Sequence, residues 1–222
     1  MFKRGFLIIG VLLLSVLLLF SISLADDTDP VISFYLDNLD YVFNQQYIFK
    51  IDSGFSCRVS SILEKTNYRG KPDKTDTTIF RLFYNHGKMD SSTIIDTAKI
   101  EDNILPSDFI PPLVWRDSLQ FGFYPNDTGS GTLAISFESK SMDSANSVTG
   151  FISLNRADFY IEKLFLHYPH PENYDRISEI YTFEQSGEFI YLRKLELHRS
   201  KVRFFGREFT KQVIDFSDYR AK

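Results

Sequence analysis

Apolar residues recur along this chain at two periods, and the change from one to the other divides it. Asp29-Pro30 sets an N-cap side chain before a proline at the first helical position, and Ile32, Leu36, Leu39 and Phe43 follow at spacings of three or four. The spacing predicts a helix over residues 30–45, with Tyr35 and Val42 widening its apolar stripe. From Phe55 the period is two: Phe55, Cys57 and Val59 alternate with Ser56, Arg58 and Ser60 in a strand running toward Tyr68. A turn over 67–74 with Gly70 and Pro72 leads into a second strand over 75–85, and His86-Gly87-Lys88 is the next turn.

Between 103 and 116 the alternation breaks at Leu105-Pro106 and Ile110-Pro111-Pro112-Leu113-Val114-Trp115. Adjacent prolines forbid a helix interior and a central strand, so this apolar connector is expected to lie across an opening in the core. Strand alternation then returns. Leu119, Phe121 and Phe123 share one face, Leu133, Ile135 and Phe137 another, and further strands are predicted over 151–154, 159–167, 177–183, 189–198, 202–205 and 209–216. Short polar turns join them, which predicts an antiparallel meander of about nine or ten strands. So many strands accumulate twist. The expected fold is α+β: a strongly curved antiparallel sheet, an unclosed barrel, with the N-terminal helix packed on its concave side.

Lys3 and Arg4 precede an apolar run over 6–24, and Ser23-Leu24-Ala25 supplies small residues before Asp26. This is the layout of a secretory signal peptide. Residues 1–25 are read as the leader and 26–222 as a single exported domain, periplasmic in a bacterial envelope. The alternative is a protein anchored by the uncleaved segment, since a run of 19 residues, interrupted only by Gly10, Ser15, Ser21 and Ser23, just spans a bilayer core. A single cysteine, Cys57, closes no intramolecular disulfide and reads as a small buried hydrophobe. With 25 basic against 29 acidic residues the chain is too acidic for a protein that binds by neutralising phosphates, so nucleic acid is not an expected partner.

Catalytic patterns are absent. Thr128-Gly129-Ser130-Gly131 lacks the glycine of a nucleophile elbow, and no glycine-rich phosphate cradle occurs. His167 and His170 are separated by an odd interval across Pro169, which aligns them neither on a helix nor on a strand face, so no metal and no cofactor is expected. Glu162, Glu179 and Glu196 fall at strand centres with polar neighbours expected on a solvent face. The stripe Arg193-Lys194, Arg199, Lys201, Arg203 and Arg207 reads as the solvated side of two strands, with contact to an anionic membrane surface as the sharper alternative.

Residues 131–219 carry a resemblance. Thr132-Leu133-Ala134-Ile135-Ser136-Phe137-Glu138, then Gly150-Phe151-Ile152-Ser153-Leu154-Asn155, then the strand ending near Pro169, resemble the outer-membrane lipoprotein-sorting (LolA-like) superfamily of bacterial envelope proteins. Ile180-Tyr181-Thr182-Phe183 and the Ser186-Gly187 turn continue the likeness, and the leader, first helix and first hairpin agree with the family's front half. The sequence departs from the family in lacking a proline over 189–192. The resemblance implies an unclosed barrel with a helical lid and a cavity that takes up acyl chains.

The function expected is non-enzymatic: an exported envelope protein holding a lipid, acyl chain or lipoprotein-like ligand in the concave face of its sheet, with transient membrane-surface or envelope-protein contacts. The expected ligand-binding residues are Phe109, Leu113 and Trp115 from the connector and Phe121, Phe123, Leu133, Ile135 and Phe137 from the sheet. The competing reading is a structural or interaction protein whose 35 aromatic residues, 22 Phe, 12 Tyr and 1 Trp, simply fill a core. An outer-membrane barrel fits less well, because Arg and Lys recur within the strands and the chain ends Tyr219-Arg220-Ala221-Lys222.

Overall fold

A computed structural model describes residues 28–48, 54–67, 69–85, 88–97, 116–124, 131–141, 147–169, 171, 174–204 and 206–221. The leader and the connector residues Phe109, Leu113 and Trp115 lie outside the described residues. Those described form one α-helix, α1 (Pro30–Gln46), and ten strands: β1 (Phe55–Thr66), β2 (Pro72–Asn85), β3 (Lys88–Thr97), β4 (Leu119–Phe123), β5 (Thr132–Ser139), β6 (Thr149–Asn155), β7 (Ile161–Tyr168), β8 (Arg176–Ser186), β9 (Phe189–Arg203) and β10 (Gly206–Ala221). No helix among them is long and apolar enough to cross a membrane.

The helix begins where the capping pattern places it. Asp29 Oδ1 accepts a hydrogen bond from the Val31 N–H at 2.8 Å, with Pro30 at the first helical position. Such a cap contributes about 1 kcal/mol. The stripe Ile32, Leu36, Leu39, Val42 and Phe43 is buried as its spacing predicts, while Phe34 and Tyr41 on other faces remain exposed.

All ten strands join one antiparallel sheet in the order β3-β2-β1-β10-β9-β8-β7-β6-β5-β4. Every pairing but one is between strands adjacent in sequence; the exception, β1 with β10, unites a three-stranded meander with a seven-stranded one. β3 and β4 are the two edges and do not pair, so the sheet is not closed into a barrel. Residues 98–115 therefore connect one edge to the other.

Three boundaries differ from the sequence reading. The short strand predicted over 202–205 is the end of β9, because nothing in His198-Arg199-Ser200-Lys201 breaks the backbone and residues 199–203 pair with 206–210 of β10. The strand predicted from 159 starts at Ile161, since Phe159 takes a left-handed conformation (φ 56°) in the turn that Asn155 caps through bonds to the Ala157 and Asp158 N–H groups. The first hairpin turn is tighter than predicted: Asn67 Oδ1 accepts from the Arg69 N–H at 2.9 Å, Gly70 takes φ 73°, and β2 starts at Pro72.

Gly150 is required by close approach. A Cβ there would lie 1.9 Å from the Phe165 carbonyl oxygen and 2.7 Å from Phe137 Cζ, so the missing side chain lets the Phe137 ring and the β7 backbone close over it. Gly150→Ala is expected to cost about 1–3 kcal/mol by overpacking, read as a lower urea midpoint with an unchanged slope. An unaltered midpoint would show that β6 and β7 have room to separate there.

Candidate functional site

Cross-strand register carries inward side chains in lines across the sheet. One line runs Phe121, Phe137, Gly150, Leu166, Glu179, Leu197, Gln212, Leu63 and Asp76 from β4 to β2. The next runs Ile135, Ile152, Leu164, Tyr181, Leu195, Ile214, Ser61 and Thr78. Both lines are apolar over β4–β7 and mixed with polar groups over β8, β10, β1 and β2. The polar members are satisfied where they are deepest: Gln212 Nε2 donates to Ser61 Oγ at 3.0 Å, and both residues are fully buried.

The helix contributes to the same hydrophobic core. Its buried stripe belongs to one continuous apolar cluster with Leu119, Phe121, Leu133, Ile135, Phe137, Ile152 and Leu164. Two polar contacts set its position. Tyr47, just past its C-terminus, is fully buried with its ring 4.7 Å from Phe43 and 5.4 Å from Phe183, and its hydroxyl accepts the Ile161 N–H at 2.7 Å. Burial pushes that hydroxyl's pKa far up, so it stays neutral. In the helix itself, Asp37 Oδ1 meets Arg116 Nη1 at 2.6 Å, tying it to the turn that opens β4.

Of the sequence-predicted ligand residues, Phe121, Leu133, Ile135 and Phe137 share this face and are buried, whereas Phe123 at the end of β4 is 46% exposed. Phe109, Leu113 and Trp115 lie outside the described residues. Cys57 is buried as expected, and burial pushes its thiol up to about 12.

Two readings of charged residues are corrected. Glu179 does not face solvent: β8 alternation puts it on the inner face with Tyr181, whose hydroxyl donates to it at 2.8 Å, and burial raises its carboxyl above the usual range. Arg199, assigned with the basic stripe to the solvated side, is buried in line with Leu195 and Leu197. Both were legible as every-second positions, and both were missed because charge was read ahead of register. Glu196 does face outward, with Lys194 Nζ at 2.9 Å and Lys211 Nζ at 4.0 Å holding its carboxyl low. His167 Nδ1 bonds Ser178 Oγ at 3.0 Å on that outer side.

Two clefts among the described residues have aromatic lining. One of about 430 Å³ lies over β4–β7, walled by Tyr124, Phe151 and Phe165, whose rings follow one another at 5.1 and 5.4 Å. The other, about 310 Å³, sits where β9 and β10 part beyond Lys194 and Asp215.

No family model matches the chain, and neither does any curated protein. Solved structures are similar to it. An outer membrane lipoprotein-sorting protein domain from Vibrio parahaemolyticus covers 84% of this chain and 92% of its own at 8% identity and a TM-score of 0.46. A DUF1329 family protein from Desulfovibrio piger covers 88% and 94% at 12% identity and a TM-score of 0.43. A chain of the MucA/MucB complex of Pseudomonas aeruginosa covers 86% and 98% at 9% identity and a TM-score of 0.23. The lipoprotein-sorting likeness read from residues 131–219 is thus met again among the structural neighbours.

Tyr47→Phe leaves the buried Ile161 N–H without an acceptor and is expected to cost about 1–3 kcal/mol, with faster hydrogen exchange at that amide; slow exchange retained in the variant would assign the pin elsewhere. Glu179 binds its proton more tightly folded than unfolded, so its share of stability is greatest below the ordinary carboxylate range and is lost as pH rises through its raised pKa. Wild type should therefore lose stability relative to Glu179→Gln across that interval. Parallel pH profiles of the two would contradict it.

Proposed function

We propose that this chain is an exported, non-enzymatic binding protein of the bacterial envelope that holds an acyl chain or other lipid between its helix and the inner, concave face of its sheet. The observation that carries this reading is a mismatch of widths. Ten strands spaced about 4.8 Å apart make a sheet about 45 Å wide, whereas a 17-residue helix is about 25 Å long and about 10 Å across. One helix does not cover that face. The connector between the two edges has the composition of a second cover, with Phe109, Leu113 and Trp115 as its apolar contacts. Sheet residues Phe121, Leu133, Ile135 and Phe137 supply the opposite wall, with Phe123 at its open end. The leader and the resemblance to lipoprotein-sorting proteins support the envelope setting, and the lack of a catalytic motif supports binding over chemistry.

A second reading has its own observation. Ile135 and Ile152 are fully buried and Phe137 nearly so, as in a core that side chains fill by themselves. In that case the protein acts through its surface, and the aromatic cleft beside β4 is the part to examine.

Trp115 is the chain's single tryptophan, which makes its emission a direct report on the connector. Protein purified from its own envelope fraction is expected to show bound lipid in native mass spectrometry. After delipidation, addition of a fluorescent fatty acid should shift Trp115 emission and quench it by energy transfer. Ligand-free protein that also takes up no fatty acid favours the filled core.

A further inference from the structure

Arg199 continues the inward alternation of Leu195 and Leu197 on β9 and is only 9% exposed. Among the described residues its guanidinium makes no ion pair and no hydrogen bond; its contact is the face of Tyr174, 5.9 Å from the ring centre, which Lys201 Nζ approaches at 5.8 Å. Two acids lie nearby: the charge of Arg199 acts on the Glu179 carboxyl without touching it, and Asp175 Oδ2 is buried without a hydrogen-bond partner. Glu179 is diagonal to Arg199 across the β8–β9 ladder and accepts from the Tyr181 hydroxyl. Asp175 has its carboxylate 3.9 Å from Arg207 Nε.

A buried cation without a contacting anion costs several kcal/mol. Lysine could relieve that cost by losing its proton, but arginine cannot. The fold therefore keeps a fixed positive charge at one end of the inner face, with Lys65 farther along the same line and Glu179 diagonal to it. The transverse line through Arg199 contains Tyr168, Ile177, Thr210 and Lys65. The adjacent line, about 7 Å away along the strands, contains Leu166, Leu197 and Leu63, with Glu179 between the first two and Gln212 between the last two. Charge and apolar surface thus meet within two residues on β9, where Arg199 follows Leu197, and on β1, where Lys65 follows Leu63.

We propose that the Arg199 end of the inner face binds the anionic head group of an amphiphile, a carboxylate or a phosphate, whose chain lies over Leu197, Leu166 and Phe137. The inference rests on the acyl-chain reading above and adds the chemistry of the ligand's polar end. The planar fork of a guanidinium matches two oxygens of either group, and its strength grows away from water. Tyr168 and Tyr174 border the same end and supply ring surface for the first carbons of the chain.

Three probes with the same chain test it on the delipidated full chain: dodecanoate, dodecyl phosphate and dodecanol, each titrated against Trp115 emission and by calorimetry. At least one anion is expected to bind about tenfold or more tightly than the alcohol, as a charge-assisted bidentate contact outweighs a neutral one. Which anion it is separates a carboxylate ligand from a phosphate one. Arg199→Gln should erase the preference, leave dodecanol affinity unchanged, and leave the melting temperature of ligand-free protein equal or higher. Equal affinities for all three probes in the wild type overturn the proposal while the acyl-chain reading stands, and that comparison needs no variant to fold. A preference that survives Arg199→Gln, or ligand-free melting lowered alike by Arg199→Gln and Glu179→Gln, also overturns it, assigning Arg199 to the fold. If dodecanol and both anions fail to bind, the acyl-chain reading itself falls and takes this inference with it.

Discussion

The ladder between β1 and β10 holds the rest of the molecule in one piece. It pairs residues from Phe55 with Ala221 to Thr66 with Phe209, joining the first strand of the chain to its last. Without it the sheet is two meanders, each with its own exposed edge. With it the inward residues Val59, Ser61 and Leu63 fall in line with Phe216, Ile214 and Gln212, and the inner face becomes continuous. A slip of one residue would turn every one of those side chains outward, so burial of Val59 and Phe216 enforces the register. Pairings this distant in sequence close a long loop before they bury anything, which makes this ladder a late and slow event in folding.

The sheet also shows where it yields. The β8–β9 register shifts between Thr182 and Phe183, leaving Arg193 as an extra residue on β9, and the β1–β10 register shifts around Asp218, which takes φ 51°. These two bulges face one another where the β9–β10 ladder ends. Side chains take over from backbone bonds across the gap: Arg193 Nη1 donates to the Phe216 carbonyl at 2.9 Å, and the Tyr219 hydroxyl donates to the Leu192 carbonyl at 2.5 Å. Arg81 and Arg220 hold the Asp218 carboxyl below its ordinary range and fix the bulge from outside. A bulge bends its strand and sharpens local twist, and two side-chain bonds bridge the seam where the backbone ladder stops.

Much of the fold was legible because local chemistry and global structure agree over most of the chain. The Asp29-Pro30 cap, the stripe from Ile32 to Phe43 and the alternations at Phe55, Leu119 and Leu133 each name their element and its buried side. Legibility failed where a residue's type and its position disagree. Glu179 and Arg199 occupy inward positions of β8 and β9, yet their charge suggested water. β3 escaped notice for the opposite reason: Lys88-Met89-Asp90-Ser91-Ser92-Thr93 shows no apolar alternation, since an edge strand buries little. The 159–160 boundary failed on turn chemistry, with Asn155 capping a loop that an apolar pair had disguised as strand.

The sequence by itself determined the kind of most elements and their buried sides, because periodicity, caps and turn residues act within a few residues of one another. Only the tertiary structure decided that β1 pairs with β10, that β3 and β4 remain unpaired edges, and that a tyrosine hydroxyl at position 47 pins the helix to Ile161. These depend on groups more than a hundred residues apart, brought together by burial of a shared face, and no local pattern encodes which distant strand will supply the other half of that face.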